Sequence, residues 1–197
     1  MMSAAVALPI AESCPRLFTA DELLAMPDDG KDRWLIRGKL RERVKMYHTR
    51  AHSQVATRLA YLFGNWIDKQ PEPRGEAYCL PVVHLRRDPD TCLEIDLVYL
   101  APTVVAKLTD RSPLIDEAPT FVAKIISLND VKQKVTELIN ESLAAGVALV
   151  WVIDTDYKTV TVHRPGQAVE LFNTTQTLSA DPHLPGFTVP VARIFRR

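Results

Sequence analysis

The chain has 197 residues, of which 47% are hydrophobic and 24% are charged, which are the proportions of one ordinary globular domain with a sizeable core. Lysine plus arginine and aspartate plus glutamate each number 24, so no overall basic excess indicates nucleic acid, although a local patch would suffice. No apolar run approaches the roughly 20 residues of a membrane span, and three cysteines without metal-ligand spacing favour free thiols in a reducing, cytoplasmic compartment.

The first half of the chain is predicted to begin with a loosely attached or disordered tail at residues 1–16, and residues 17–197 are expected to form a single domain. Thr19 is a suitable N-cap and Glu22 completes a capping box, so a short helix should follow. The elements expected here are a helix at 20–25, a hairpin of strands at 33–36 and 39–44, a long amphipathic helix at 50–69 and a strand at 76–85.

The second half of the chain alternates apolar strands with one clear helix. The predicted elements are a strand at 94–100, a helical turn at 103–108, a strand at 121–126, a helix at 131–145, and strands at 148–153, 159–163 and 169–172. The central order of strand, helix and strand predicts a βαβ crossover between two parallel strands.

Two of these apolar segments each carry an isolated charge. Lys124 lies in the middle of the strand predicted at 121–126, and Asp96 lies near the start of the run at 94–100. A strand covered on both faces is almost continuously apolar, and a lone ammonium there is costly unless a partner or water meets it. Asp96 is the obvious partner of Lys124, so the sequence predicts a polar site set into the sheet.

Ten short segments, taken in order and spacing, resemble the Uma-two family of restriction-endonuclease-like proteins. They are Phe18–Leu24, Leu35–Leu40, His52–Val55, Leu85–Thr91, Asp96–Tyr99, Ile126–Ser127, Ala145–Val147, Leu149–Asp154, Thr159–Pro165 and Leu184–Phe187. The resemblance covers nearly all of residues 17–195 and implies the PD-(D/E)XK nuclease fold. That fold is α/β, with a mixed central β-sheet flanked by helices, here with an additional N-terminal hairpin and C-terminal strands.

The resemblance also implies a reaction, the metal-dependent hydrolysis of DNA phosphodiester bonds. An aspartate and a glutamate hold Mg²⁺ or Mn²⁺, and a lysine positions or activates the attacking water. The aspartate position falls on Asp96, which is therefore the implied metal ligand, and the glutamate position falls on Lys124; these two are the candidate catalytic residues. The helical lysine position falls on Leu138, an N-terminal glutamate position on Trp34, and a helical tyrosine position on Ser142.

These departures from the family pattern predict a degenerate site. An ammonium in place of a carboxylate changes the local charge by two units. The interaction between two unit charges at about 4 Å is worth roughly 4 kcal/mol at an effective dielectric near 20. Lys124 would repel Mg²⁺ and pair with Asp96, while Leu138 fits the helix face that packs on the sheet. Activity is therefore expected to be weak or absent, whether the departures are natural or engineered.

A more specific alternative is that other residues supply the functions of the missing lysine and the missing second carboxylate. Lys124 could supply the function of the missing lysine, and Glu137, Glu141 or Asp130 could supply the second carboxylate. Against this, Glu137 and Glu141 lie four residues apart, which is also the pattern of a solvated helix surface.

Basic clusters suggest contacts to nucleic acid phosphates, although solvated turns and strand edges have the same composition. The candidates are Arg41, Arg43, Lys45, His52, Arg86 and Arg87. His52 also fits a half-buried histidine at a helix terminus. Three classes stay open: a DNA-cleaving enzyme, a non-catalytic nucleic-acid-binding module, and a structural or partner protein. The resemblance favours a homodimer, and no membrane association is expected.

Overall fold

A computed structural model describes residues 16–45, 47–109, 112–126 and 132–196. The helices of these residues are α1 Ala20–Leu24, α2 Arg50–Ile67, α3 Pro102–Val105, α4 Lys132–Ala144 and α5 Val191–Ile194. The strands are β1 Lys31–Ile36, β2 Lys39–Val44, β3 Glu76–Cys79, β4 Val82–Arg86, β5 Thr91–Glu94, β6 Leu97–Leu100, β7 Phe121–Ile126, β8 Leu149–Asp154, β9 Thr159–His163, β10 Glu170–Phe172, β11 Thr177–Ser179 and β12 Thr188–Pro190.

The central sheet has six strands in the order β10-β9-β8-β7-β6-β3. Strands β7 and β8 are parallel and are joined through α4, whereas the other neighbouring strands of this sheet are antiparallel. The predicted α/β fold with a mixed central sheet is therefore confirmed, and the parallel pair is the predicted strand–helix–strand unit.

A second sheet of four strands, in the order β2-β1-β5-β4, contains the predicted N-terminal hairpin. Its turn residues Arg37 and Gly38 both have positive φ angles, 49° and 74°, as a tight two-residue hairpin turn requires. The C-terminal strands β11 and β12 form a separate antiparallel pair.

The prediction of one continuous strand over residues 76–85 is wrong, because the chain changes sheets there. Strand β3 belongs to the central sheet and β4 to the second sheet, with Leu80 between them at a φ of +55°. Pro81 has no N–H to donate to a ladder, which favours a break at this point. From β5 to β6 the chain crosses back between the same two sheets, beside the first crossing. Two backbone hydrogen bonds join the crossings: the Leu80 N–H donates to Asp96 O at 3.2 Å, and the Ile95 N–H donates to Pro81 O at 3.1 Å.

The helices α2 and α4 cover opposite faces of the central sheet. Alternate residues of β7 point to the two sides, so Phe121 packs with Phe63 of α2 and Val122 packs with Leu138 of α4. The α2 side is rich in aromatic residues, and the ring centroids of Phe63 and Phe121 are 4.9 Å apart. Both apolar layers thus hold the junction around Asp96 in place.

Candidate functional site

The structure brings the two isolated charges of the sequence together at the crossing between the sheets. Asp96 immediately precedes β6, and Lys124 lies on the neighbouring strand β7. The Lys124 Nζ is 2.8 Å from Asp96 Oδ2, and the two residues are only 8% and 3% exposed. The pair is thus a buried ion pair inside the domain.

The Asp96 carboxylate accepts two further hydrogen bonds. The backbone N–H of Ile125 donates to Oδ2 at 2.6 Å, and His52 Nε2 donates to Oδ1 at 3.2 Å. His52 is buried in the first turn of α2, where the Thr49 side chain caps the helix by accepting from its backbone N–H. Both oxygens of Asp96 are therefore engaged by donors from strand β7 and helix α2.

These donors keep Asp96 ionised. Burial alone would raise the pKa of Asp96, but the hydrogen bond from His52, the charge and hydrogen bond of Lys124 and the backbone bond from Ile125 together lower it to about 2. At neutral pH the site therefore holds a carboxylate whose charge is compensated by an ammonium at hydrogen-bond distance.

Two residues near the pair are not among the candidate site residues of the sequence. Lys134 of α4 places its Nζ 4.4 Å from the centroid of the Trp34 ring, and burial, with the positive charges of Arg43 and Lys124, lowers the pKa of Lys134. The ring of His48 stacks on that of His52 with centroids 3.9 Å apart, and burial and the neighbouring His52 lower its pKa. The spacing of Lys134, four residues before Leu138, was the signal that could have placed it on the sheet-facing side.

The proposed substitute carboxylates on α4 interact with arginines. Glu141 is buried, and its oxygens lie 2.9 Å from Arg37 Nε and 3.6 Å from Arg86 Nε. Glu137 accepts from Arg41 at 3.2 Å. Leu138, between them, is fully buried in the core. Asp130, the third proposed substitute, lies outside the described residues.

Most of the predicted phosphate-binding cations also have acidic partners. Arg41 and Arg86 bind the two α4 glutamates, Arg43 Nε lies 3.1 Å from Asp32 Oδ2, and Arg87 lies 2.9 Å from Asp116. Lys45 is exposed, and His52 faces Asp96 rather than the surface. These residues therefore lie in several small ion pairs rather than in one continuous basic surface.

The residues around Asp96 do not fit a divalent metal ion. Hard cations such as Mg²⁺ need oxygen ligands with free lone pairs, and here the Asp96 oxygens already face an ammonium, an imidazole N–H and a backbone N–H. Within the part of the chain that the structure describes, no group of three or more histidine, cysteine, aspartate or glutamate residues could hold a metal ion.

The architecture, a mixed central sheet with helices on both faces, is restriction-endonuclease-like. A family model, Uma2, described as "Putative restriction endonuclease", matches residues 20–192. The chain therefore belongs to the Uma-two family, as its sequence segments predict.

A solved structure has the same fold. It is titled as a putative nuclease belonging to DUF820 from Anabaena variabilis ATCC 29413, and it superposes with a TM-score of 0.75 at 20% identity, covering 90% of this chain and 97% of that one. No curated protein matches the sequence. Among the described residues, no helix combines the length and apolarity that crossing a bilayer requires.

Proposed function

We propose that this chain is a member of its nuclease-like family in which metal-dependent hydrolysis of DNA is weak or absent. The observation that carries the proposal is the ion pair between Lys124 and Asp96, with Nζ and Oδ2 2.8 Å apart. Lys124 stands where the family resemblance places the second metal-binding carboxylate, and its ammonium lies against the aspartate that would be the first ligand.

Electrostatics supports the proposal in two ways. A divalent ion beside Asp96 would lie near the Lys124 ammonium, and each unit of like charge at about 4 Å costs roughly 4 kcal/mol at an effective dielectric near 20. The ion would also have to displace the donors that now satisfy the carboxylate, which include His52 and the Ile125 N–H. Removing one member of such a buried network leaves other polar groups unsatisfied.

Cleavage of a fluorescent DNA duplex in Mg²⁺ or Mn²⁺ tests the proposal, with wild type, Asp96→Asn and Lys124→Glu compared at equal concentration. Wild type and Asp96→Asn are expected to be equally slow, at the background rate of the buffer. Lys124→Glu restores a second carboxylate, so any gain of cleavage is expected in this variant or in Lys124→Glu combined with Leu138→Lys. Metal-dependent cleavage by wild type that Asp96→Asn abolishes would contradict the proposal.

Binding of nucleic acid without cleavage is the second candidate function. The observation that favours it is a cationic groove along α2 whose lining residues include no aspartate or glutamate. The homodimer and the cytoplasmic location implied by the sequence stay predictions, which size-exclusion chromatography with light scattering and cell fractionation would test.

A further inference from the structure

The outer face of α2 carries only positive formal charge. Over Arg50–Ile67 the helix contains no aspartate or glutamate, and its two charged residues are Arg50 and Arg58. The whole chain, in contrast, has equal numbers of acidic and basic residues. Positive charge is therefore concentrated locally on this helix, as a local binding patch requires.

A groove runs along this face and is closed on one side by the C-terminal segment. Its volume is about 500 Å³, and its lining includes Arg50, Arg58 and Arg196. The side chain of Gln54 donates to the backbone oxygen of Arg196 at 3.0 Å, and Arg58 donates to the same oxygen at 3.4 Å. These bonds hold the Arg196 backbone across the groove from the helix.

The positive charges of the three arginines are not compensated by a carboxylate among the described residues. Within residues 16–45, 47–109, 112–126 and 132–196, none of them lies within ion-pair distance of a carboxylate, whereas Arg41, Arg43, Arg86 and Arg87 all do. The groove is also lined by Tyr61, which is 54% exposed. This combination of guanidinium and aromatic groups matches the groups that bind nucleic acid backbones and bases.

The position of Arg50 argues for a role other than stability. It is the first residue of α2, where the helix dipole favours negative side chains, and the first turn contains no acidic residue. A positive charge there is mildly unfavourable for the helix and adds to the repulsion from the neighbouring arginines. Its cost would be offset when an anion occupies the groove.

A second groove extends the same cationic face toward the other end of α2. It shares Tyr61 with the first groove and is lined by Asn65, Lys69 and Arg193, again with no acidic residue. From Arg50 to Ile67 the helix is about 27 Å long, which equals roughly eight base steps at 3.4 Å each. Two adjoining grooves that share Tyr61 and are lined by arginine and lysine side chains fit an extended polyanion better than a small ligand.

We propose that this face, the α2 groove lined by Arg50, Arg58, Tyr61 and Arg196, binds the phosphodiester backbone of nucleic acid. An anionic membrane fits less well, because a helix that lies in a bilayer inserts its apolar face, and the apolar face of α2 is packed on the central sheet. The inference rests on the second candidate function, nucleic acid binding without cleavage. The groove lies on the opposite side of α2 from His52 and needs no metal, so the inference does not depend on whether the Asp96 site is active.

Fluorescence anisotropy with labelled single-stranded and duplex oligonucleotides, in EDTA and over a series of salt concentrations, tests this site. The variant is Arg50→Gln with Arg196→Gln, which removes two positive charges from exposed side chains. Its affinity is expected to fall about 10-fold or more, and the slope of log K against log salt is expected to decrease by about 1.4 for single strands or 1.8 for duplex. The form of nucleic acid that binds more tightly identifies the natural ligand.

The matched control removes two positive charges elsewhere, with Arg16→Gln and Lys107→Gln, and should keep wild-type affinity and slope. Both residues are exposed and lie away from α2 in ion pairs with Glu22 and Glu117. Equal binding by wild type and the groove variant would overturn the proposal, as would binding of phosphatidylserine vesicles without any binding of nucleic acid. Because EDTA removes metal ions, neither result would bear on the metal-dependent chemistry of Asp96.

Discussion

At the scale of single residues, the chemistry of the site depends on the hydrogen bonds that the Asp96 carboxylate accepts. Its carboxylate is buried and accepts from Lys124, His52 and the Ile125 N–H, so it is stable as an anion. A buried pair of this kind contributes little net stability compared with apolar residues, but breaking it is costly because one charge is left unpaired. Substitution of Asp96 or Lys124, and a change of pH, should therefore change the free energy of unfolding by a large amount and in a direction that can be stated.

Acid titration should detect the lowered pKa of Asp96. The pKa of Asp96 in the folded protein, about 2, lies below its ordinary value of 3.8, so the stabilisation is complete above pH 4 to 5 and is lost as the pH falls through 2. The difference in free energy of unfolding between wild type and Asp96→Asn should shrink by about 2 kcal/mol between pH 5 and pH 2. Urea denaturation at each pH measures this difference, and a constant value would show that Asp96 has an ordinary pKa.

Substitution of the buried lysine should destabilise the fold. Lys124→Met leaves Asp96 without its cation and is expected to lower the free energy of unfolding at pH 7 by about 3 to 5 kcal/mol. The control is Lys107→Met, which removes an exposed lysine paired with Glu117 and should cost less than about 1 kcal/mol. Equal losses in chemical denaturation would mean that burial of the Lys124 pair has no special role.

At the scale of elements, α4 has a core leucine at the position where the family resemblance implies a site lysine. Leu138 is fully buried and packs with residues of the central sheet, as its spacing with neighbouring apolar residues predicts. The flanking Glu137 and Glu141 lie beside arginines of β2 and its hairpin turn. Helix α4 thus contacts the central sheet through the apolar core around Leu138, and it contacts the second sheet through the ion pairs of Glu137 and Glu141.

The cost of a cavity at this position can be measured directly. Leu138→Ala is expected to lower the free energy of unfolding by about 2 to 5 kcal/mol, because the side chain leaves a void between helix and sheet. Ile139→Ala, on a half-buried position of the same helix, is the control and should cost clearly less. A larger loss of stability in Ile139→Ala than in Leu138→Ala, measured by thermal and urea unfolding, would contradict the packing described.

The elements also show where the sequence predicts structure and where it does not. The capping box of Thr19 and Glu22 and the apolar spacing of α2 correctly predicted two helices, since both are local signals. The break between β3 and β4 was missed, although Pro81 was a signal for it, because the left-handed conformation of Leu80 cannot be predicted from an apolar side chain. A change of sheet depends on tertiary packing that local propensity does not encode.

At the scale of the whole molecule, two sheets meet at the point where the chain crosses between them twice, and the polar site lies at that junction. The approach of Asp96 and Lys124 could be predicted, because isolated charges in apolar strands need partners. The contacts of His52 and Lys134 could not, because these residues come from helices on either side of the sheet. Their positions follow only when the layers are assembled.

The most direct measurement is calorimetric titration of Mn²⁺ into wild type and Lys124→Glu, with Lys124→Gln as the uncharged control. If the ammonium excludes the cation, wild type should give no saturable binding heat at millimolar Mn²⁺, whereas Lys124→Glu should bind Mn²⁺ and gain thermal stability with concentration. Lys124→Gln should bind Mn²⁺ weakly or not at all because it lacks a second carboxylate. Tight binding by wild type that is lost in Asp96→Asn would contradict the account.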